Sequence, residues 1–112
     1  MSGKRSQRKG KEGEREIVNL LKSVDVEALR TAPIQSGTGR TESVHDVTIP
    51  CLGWGIEVKR RANGWAQVYR DLGQADMLAI RADGKDNLFV VPWSTMRLLL
   101  PGYIELLKII EA

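Results

Sequence analysis

The residues best suited to chemistry stand together in the segment Ile56-Glu57-Val58-Lys59. In a β-strand alternate side chains share a face, so Glu57 and Lys59 project together while Ile56 and Val58 turn the other way. The apolar pair packs on a core. The polar pair sets an acid and an ammonium ~7 Å apart, from a rise of ~3.3 Å per residue. Eleven residues upstream stands Asp46. If 44–49 and 56–60 form a hairpin, Asp46 comes beside Glu57. Two carboxylates converging on one point suit a hard divalent cation such as Mg²⁺, and the Val58 carbonyl could add an oxygen. Such a cation polarises a phosphate and acidifies a water. Lys59 could orient that water or neutralise charge growing on the phosphate. A salt bridge on a solvated face is the plainer account of the same residues.

Glu14 adds a third acid. It precedes Ile17, Val18 and Leu21 by three, four and seven residues, so on a helix it extends their apolar stripe. A carboxylate at the end of a buried stripe is costly unless it is paired or metal-bound. A first-turn Glu favoured by the helix dipole is the alternative. Gly10 and Gly13 are poor helix formers and suggest a close approach of backbone to a phosphate or a neighbouring strand. His45 adjoins Asp46 and alternates to the opposite strand face, where a packed or hydrogen-bonded ring is expected rather than a ligand. Gln67 and Gln74 read as surface amides, and Trp54, Trp65 and Trp93 as core or interface.

These residues need a scaffold, and 112 residues with 42% hydrophobic and 28% charged side chains are enough for one. No apolar run reaches the ~18 residues of a membrane span, and no apolar h-region follows the basic start. Cys51, the single cysteine, excludes an intrachain disulfide and a multi-cysteine zinc site; a cytoplasmic setting fits. The net charge of +3 lies wholly in the first sixteen residues, where six bases face three acids. That is the footprint of phosphate-backbone binding or of a solubilising tail. Lys59, Arg60 and Arg61 form a second basic cluster, and alternation lets at most one of Arg60 and Arg61 share the Lys59 groove.

The pattern predicts a flexible basic arm over 1–9 and one domain over 10–112. A helix is expected from Lys11 to about Ser23, a short strand over 26–32, a loop over 33–43 and the hairpin strands 44–49 and 56–60. A helix over 62–73, strands over 77–80 and 88–91, and two short helices either side of Pro101-Gly102 complete the chain. The fold class is α/β: a small mixed β-sheet flanked by helices. The apolar run 103–110 is expected to dock on that sheet or to form a dimer interface.

Arg8-Lys9-Gly10, then Glu14-Arg15-Glu16 and an apolar helix, followed by Arg30, Ser36-Gly37, His45-Asp46-Val47 and Ile56-Glu57-Val58-Lys59, resembles the archaeal-type Holliday junction resolvases of the PD-(D/E)xK nuclease superfamily. The resemblance covers about residues 8–61; the segment beyond does not match. It implies a restriction-endonuclease-like nuclease core. It also implies a homodimer that recognises branched DNA (the four-way junction) and cuts two opposed strands with Mg²⁺ or Mn²⁺, in DNA recombination or repair. By position, Asp46 and Glu57 match the metal-binding acids, Lys59 the catalytic lysine and Glu14 the helix-borne acid. Arg8 and Arg30 match DNA-backbone contacts, and Ser36 lies in the loop that carries a functional serine. Lys9 and Arg60 are expected to join them on DNA. Val44-His45 stands where the nominal motif has proline. The setting implied is cytoplasmic, nucleoid-associated or virus-encoded. A flap or duplex nuclease of the same superfamily, and a non-catalytic DNA-binding module, are the alternatives.

Overall fold

The computed structural model describes residues 2–31 and 45–112, with side chains from Gly10 onward. In chain order the elements are α1 (Ser2–Lys22), β1 (Leu29–Arg30), β2 (Val47–Ile49), β3 (Trp54–Ile56), α2 (Ala66–Leu72), β4 (Leu78–Ile80), β5 (Leu88–Val90) and α3 (Trp93–Glu111). The class is mixed α/β, with three helices and two small sheets among the described residues. In place of one mixed sheet there is a three-stranded sheet β1-β2-β3 and a separate β4-β5 pair, and every described pairing is antiparallel. For β2 and β3 the short connection explains this: the four residues between them can only turn the chain back, since a parallel crossover needs a dozen or more. No described helix is long and apolar enough to cross a membrane. The chain divides into two compact units, residues 1–60 and 61–112.

The first unit begins with α1, which starts at Ser2 rather than Lys11 and so takes in residues read from sequence as an arm. Arg, Lys, Gln and Glu are strong helix formers even where no apolar period marks them. The helix ends in a Schellman motif. Asp25 N–H donates to the Lys22 carbonyl (3.0 Å) and Val26 N–H to the Leu21 carbonyl (3.0 Å). Asp25 takes the left-handed conformation, φ 62°, and Leu21 and Val26 are both buried, as the motif's apolar contact requires. β1 pairs antiparallel with β2, Arg30 opposite Val47, and β2 with β3, Val47 opposite Ile56. The β2–β3 turn carries Pro50 and a left-handed Gly53, φ 67°. Gly53 N–H donates to the Ile49 carbonyl (3.0 Å) and closes the turn. Val18, Leu21, Val26, Ala28, Val47 and Ile49 are the buried core, each larger side chain contributing ~1.5–3 kcal/mol of burial.

In the second unit α2 is shorter than the expected 62–73 but stops at Gly73 as its sequence suggests. Gly73 has φ 53°, ψ −123°, a conformation open in practice to glycine alone. The Arg61 guanidinium lies 5.6 Å from the Trp65 ring centre, a cation–π contact. Thr95 Oγ1 donates to the Asp76 carbonyl (3.1 Å) and ties the start of α3 to the segment before β4. The helix runs unbroken through Pro101, where a break was expected. Proline removes one interior hydrogen bond. The better-covered residues Trp93, Met96, Leu100, Ile104 and Leu107 nevertheless keep helical spacing across it, so the packed stripe carries the helix on. Leu98, Leu106, Ile109 and Ile110 are exposed on its remaining surface.

Candidate functional site

The hairpin register brings the sequence-selected residues of the first unit to one end of its sheet. Val47 faces Ile56 as the last pair of the ladder, and Asp46 and Glu57 each stand one residue beyond it. β3 ends at Ile56, however, and Glu57 to Arg60 lie beyond the strand in which they were expected. Strand character shifted toward the turn because Trp54 and Gly55 complete the ladder with Ile49 and Thr48.

Asp46 is fixed from both sides. Its carbonyl accepts the Thr31 N–H (3.0 Å) from the chain following β1. Its Oδ2 accepts the Val58 N–H (2.8 Å), part-buried. The carboxylate thus takes over where the β2–β3 ladder stops, satisfying an amide that has lost its strand partner. A carboxylate has about four lone-pair sites, so this bond does not exhaust it. The Thr31 hydroxyl oxygen is buried and has no hydrogen-bond partner.

Glu14 arrives from α1. The neighbouring Gly13 is buried, and a Cβ there would stand 3.3 Å from Val58 Cγ1 and 3.8 Å from Arg60 Cβ. The close approach expected at the two glycines therefore occurs at Gly13, with the chain after β3. At Gly10 an added Cβ would meet nothing within 4 Å. The Glu14 side chain is 19% exposed, and its Oε1 lies 3.8 Å from Arg30 Nε. The acid at the end of the apolar stripe is thus paired, one of the two outcomes that burial demands.

Glu57 is exposed and its Oε1 lies 3.2 Å from His45 Nδ1. His45 does not turn away from the acids, as alternation from Asp46 had suggested, because it precedes β2 and is not held in the pleat. Its ring lies across Gly55, where an added Cβ would overlap it. The hydrogen-bonded ring expected from sequence is present, but its partner is one of the acids it was expected to turn away from. The readable signal was a glycine two positions before Glu57, on the same strand face, leaving room for a ring. Lys59 is exposed and, among the described residues, has no ion-pair partner. Arg60 Nη1 stands 3.7 Å from Glu16 Oε2 at the surface. Arg8 and Lys9 fall on the α1 backbone with their side chains undescribed, and Ser36 lies outside the described residues.

The three acids thus each face a different partner: Glu14 faces Arg30, Glu57 faces His45 and Asp46 faces the Val58 amide. Among the described residues no group of three or more His, Cys, Asp or Glu side chains is placed to hold a metal ion. The donor set is all carboxylate oxygen, which suits Mg²⁺ or Mn²⁺. Compared with protein-family models, curated proteins and solved structures, the chain matches none.

Proposed function

We propose that the chain is a Mg²⁺- or Mn²⁺-dependent endonuclease of the restriction-endonuclease-like class, acting as a homodimer that resolves four-way DNA junctions. The observation that supports this reading is that Asp46 and Glu57 each lie one residue beyond the last pair of the β2–β3 hairpin, Val47 and Ile56, with Asp46 bonded to the Val58 amide and α1 resting on Val58 through Gly13. Asp46 and Glu57 would hold the cation, and Glu14 would join them. When bound, a divalent cation supplies charge neutralisation at a phosphodiester and a more acidic water.

The chain's own residues do the rest. Lys59, exposed and without a described carboxylate partner, is available to neutralise a phosphate oxygen. Arg30 holds Glu14 at 3.8 Å. A DNA phosphate that draws Arg30 away releases that carboxylate, so substrate binding and completion of the acid set are linked. Arg8, Lys9, Ser36 and Arg60 would track the backbone, Arg60 by exchanging its surface pairing with Glu16 for a phosphate.

The pairing of each acid with a base or an amide also favours a second reading, a DNA-binding module without catalysis. One experiment separates the two: a synthetic four-way junction, a flap and a linear duplex incubated with the chain and Mg²⁺, with and without chelator. Paired, symmetric, chelator-sensitive nicks confined to the junction are the expected result. Cutting of flap or duplex instead assigns a different nuclease, and tight binding with no cutting assigns the module.

A further inference from the structure

We infer that His45 is a positioning residue for Glu57: its Nδ1–H fixes the orientation of the carboxylate that takes the cation, and Gly55 is glycine to make room for the ring. The inference rests on the nuclease reading for the cation. Two observations carry its geometry. His45 Nδ1 lies 3.2 Å from Glu57 Oε1. A carboxylate only accepts hydrogen bonds, so at that distance Nδ1 carries the proton and Nε2 faces away. A Cβ at Gly55 would come 2.7 Å from His45 Cβ and overlap the ring, so a side chain at that position would displace the imidazole from Glu57.

Glu57 needs such a partner because of where it stands. Asp46 is anchored by the Val58 amide, whereas Glu57 lies beyond the end of β3 with a side chain 53% exposed. An unrestrained glutamate at a strand end loses rotamer freedom when it binds a cation, and a group that has already ordered it reduces that cost. His45 and Asp46 are adjacent in sequence, so the segment that brings one acid to the site also brings the residue that orders the other. Partners of this kind are worth ~10–100-fold in metal affinity.

The experiment titrates Mn²⁺ into the full chain without DNA, reading free Mn²⁺ by its electron paramagnetic resonance signal. Wild type is compared with His45→Ala, His45→Asn, His45→Gln and Glu57→Ala. An asparagine amide nitrogen reaches the position of Nδ1 and a glutamine nitrogen that of Nε2. The expected result is about tenfold or greater weakening in His45→Ala and His45→Gln and substantial recovery in His45→Asn. Thermal midpoints should be unchanged, because the His45 side chain is 46% exposed. A folding defect in any variant is bypassed by nitrogen-15 spectra of the wild type. The chain has one histidine, so its ring signals need no assignment, and they must show Nδ1 protonated. Mn²⁺ affinity lost in Glu57→Ala but unchanged in His45→Ala, or a ring protonated at Nε2 alone, overturns the inference and leaves the nuclease reading standing. A wild type that binds no Mn²⁺ overturns both.

Discussion

Replacing Asp46 separates what the carboxylate does for the fold from what it would do for catalysis. Its Oδ2 accepts the Val58 N–H at 2.8 Å in a part-buried setting. A hydrogen bond to a charged group is worth ~1.5–3 kcal/mol net, and partial burial places this one at about 1.5. Asp46→Ala removes the acceptor and leaves the amide to water. At ~4–8 °C per kcal/mol for a small domain, its thermal midpoint should fall by roughly 6–12 °C. Asp46→Asn can still present a carbonyl oxygen to Val58 and loses the charge assistance, about half the strength of the bond. Its midpoint should fall by roughly 3–6 °C. Cleavage should order the variants differently: on the proposed reading both lose an anionic cation ligand, and both should drop by at least about 100-fold. Differential scanning fluorimetry and a junction-cleavage time course on the same samples supply the two readouts. An Asp46→Ala midpoint equal to wild type would refute the anchoring bond. An Asp46→Asn protein that cuts at the wild-type rate would refute the assignment of the charge.

Three further outcomes follow from the same structure. Gly10→Ala fills open space within α1 and should stabilise the chain by up to about 1 kcal/mol in urea titration, whereas Gly13→Ala should gain less or lose stability, because its methyl presses on Val58. Asp25→Gly relieves the left-handed conformation at the end of α1, a cost of ~1–2 kcal/mol. After the greater chain entropy of glycine is subtracted, about 0.5–1 kcal/mol of stabilisation should remain in the same titration. Lys59→Ala should retain junction binding by gel shift and lose cleavage; equal loss of both would make Lys59 an ordinary phosphate contact.

Much of the first unit was legible because its signals are local. The apolar period of Ile17, Val18 and Leu21 marks the buried side of α1, and Pro50 and Gly53 mark the hairpin turn between β2 and β3. The basic start of α1 was not legible, because charged helix formers carry no period. The continuity of α3 was missed because Pro101-Gly102 is a strong local stop that only the spacing of Leu100, Ile104 and Leu107 overrides. In the site, the place of Glu14 on α1 was readable from spacing, whereas Asp46 and Glu57 fall just outside the strands expected to carry them. The partners of these acids were not readable. The Glu14–Arg30 pair depends on α1 crossing β1, and the His45–Glu57 contact on β2 beginning at Val47 and not at Val44. Strand ends are set by long-range pairing, and a shift of a residue or two there decides which way a neighbouring side chain points.

The antiparallel pairing of Arg30 with Val47 closes a span of chain. Sixteen residues, 31–46, join those two positions. The entropy of closing such a span rises only with the logarithm of its length, ~0.6 kcal/mol for each doubling. The ends of the span are pinned by the ladder and by the Thr31–Asp46 bond. Asp46 stands at the pinned end of that span, where the Thr31 and Val58 amides hold it.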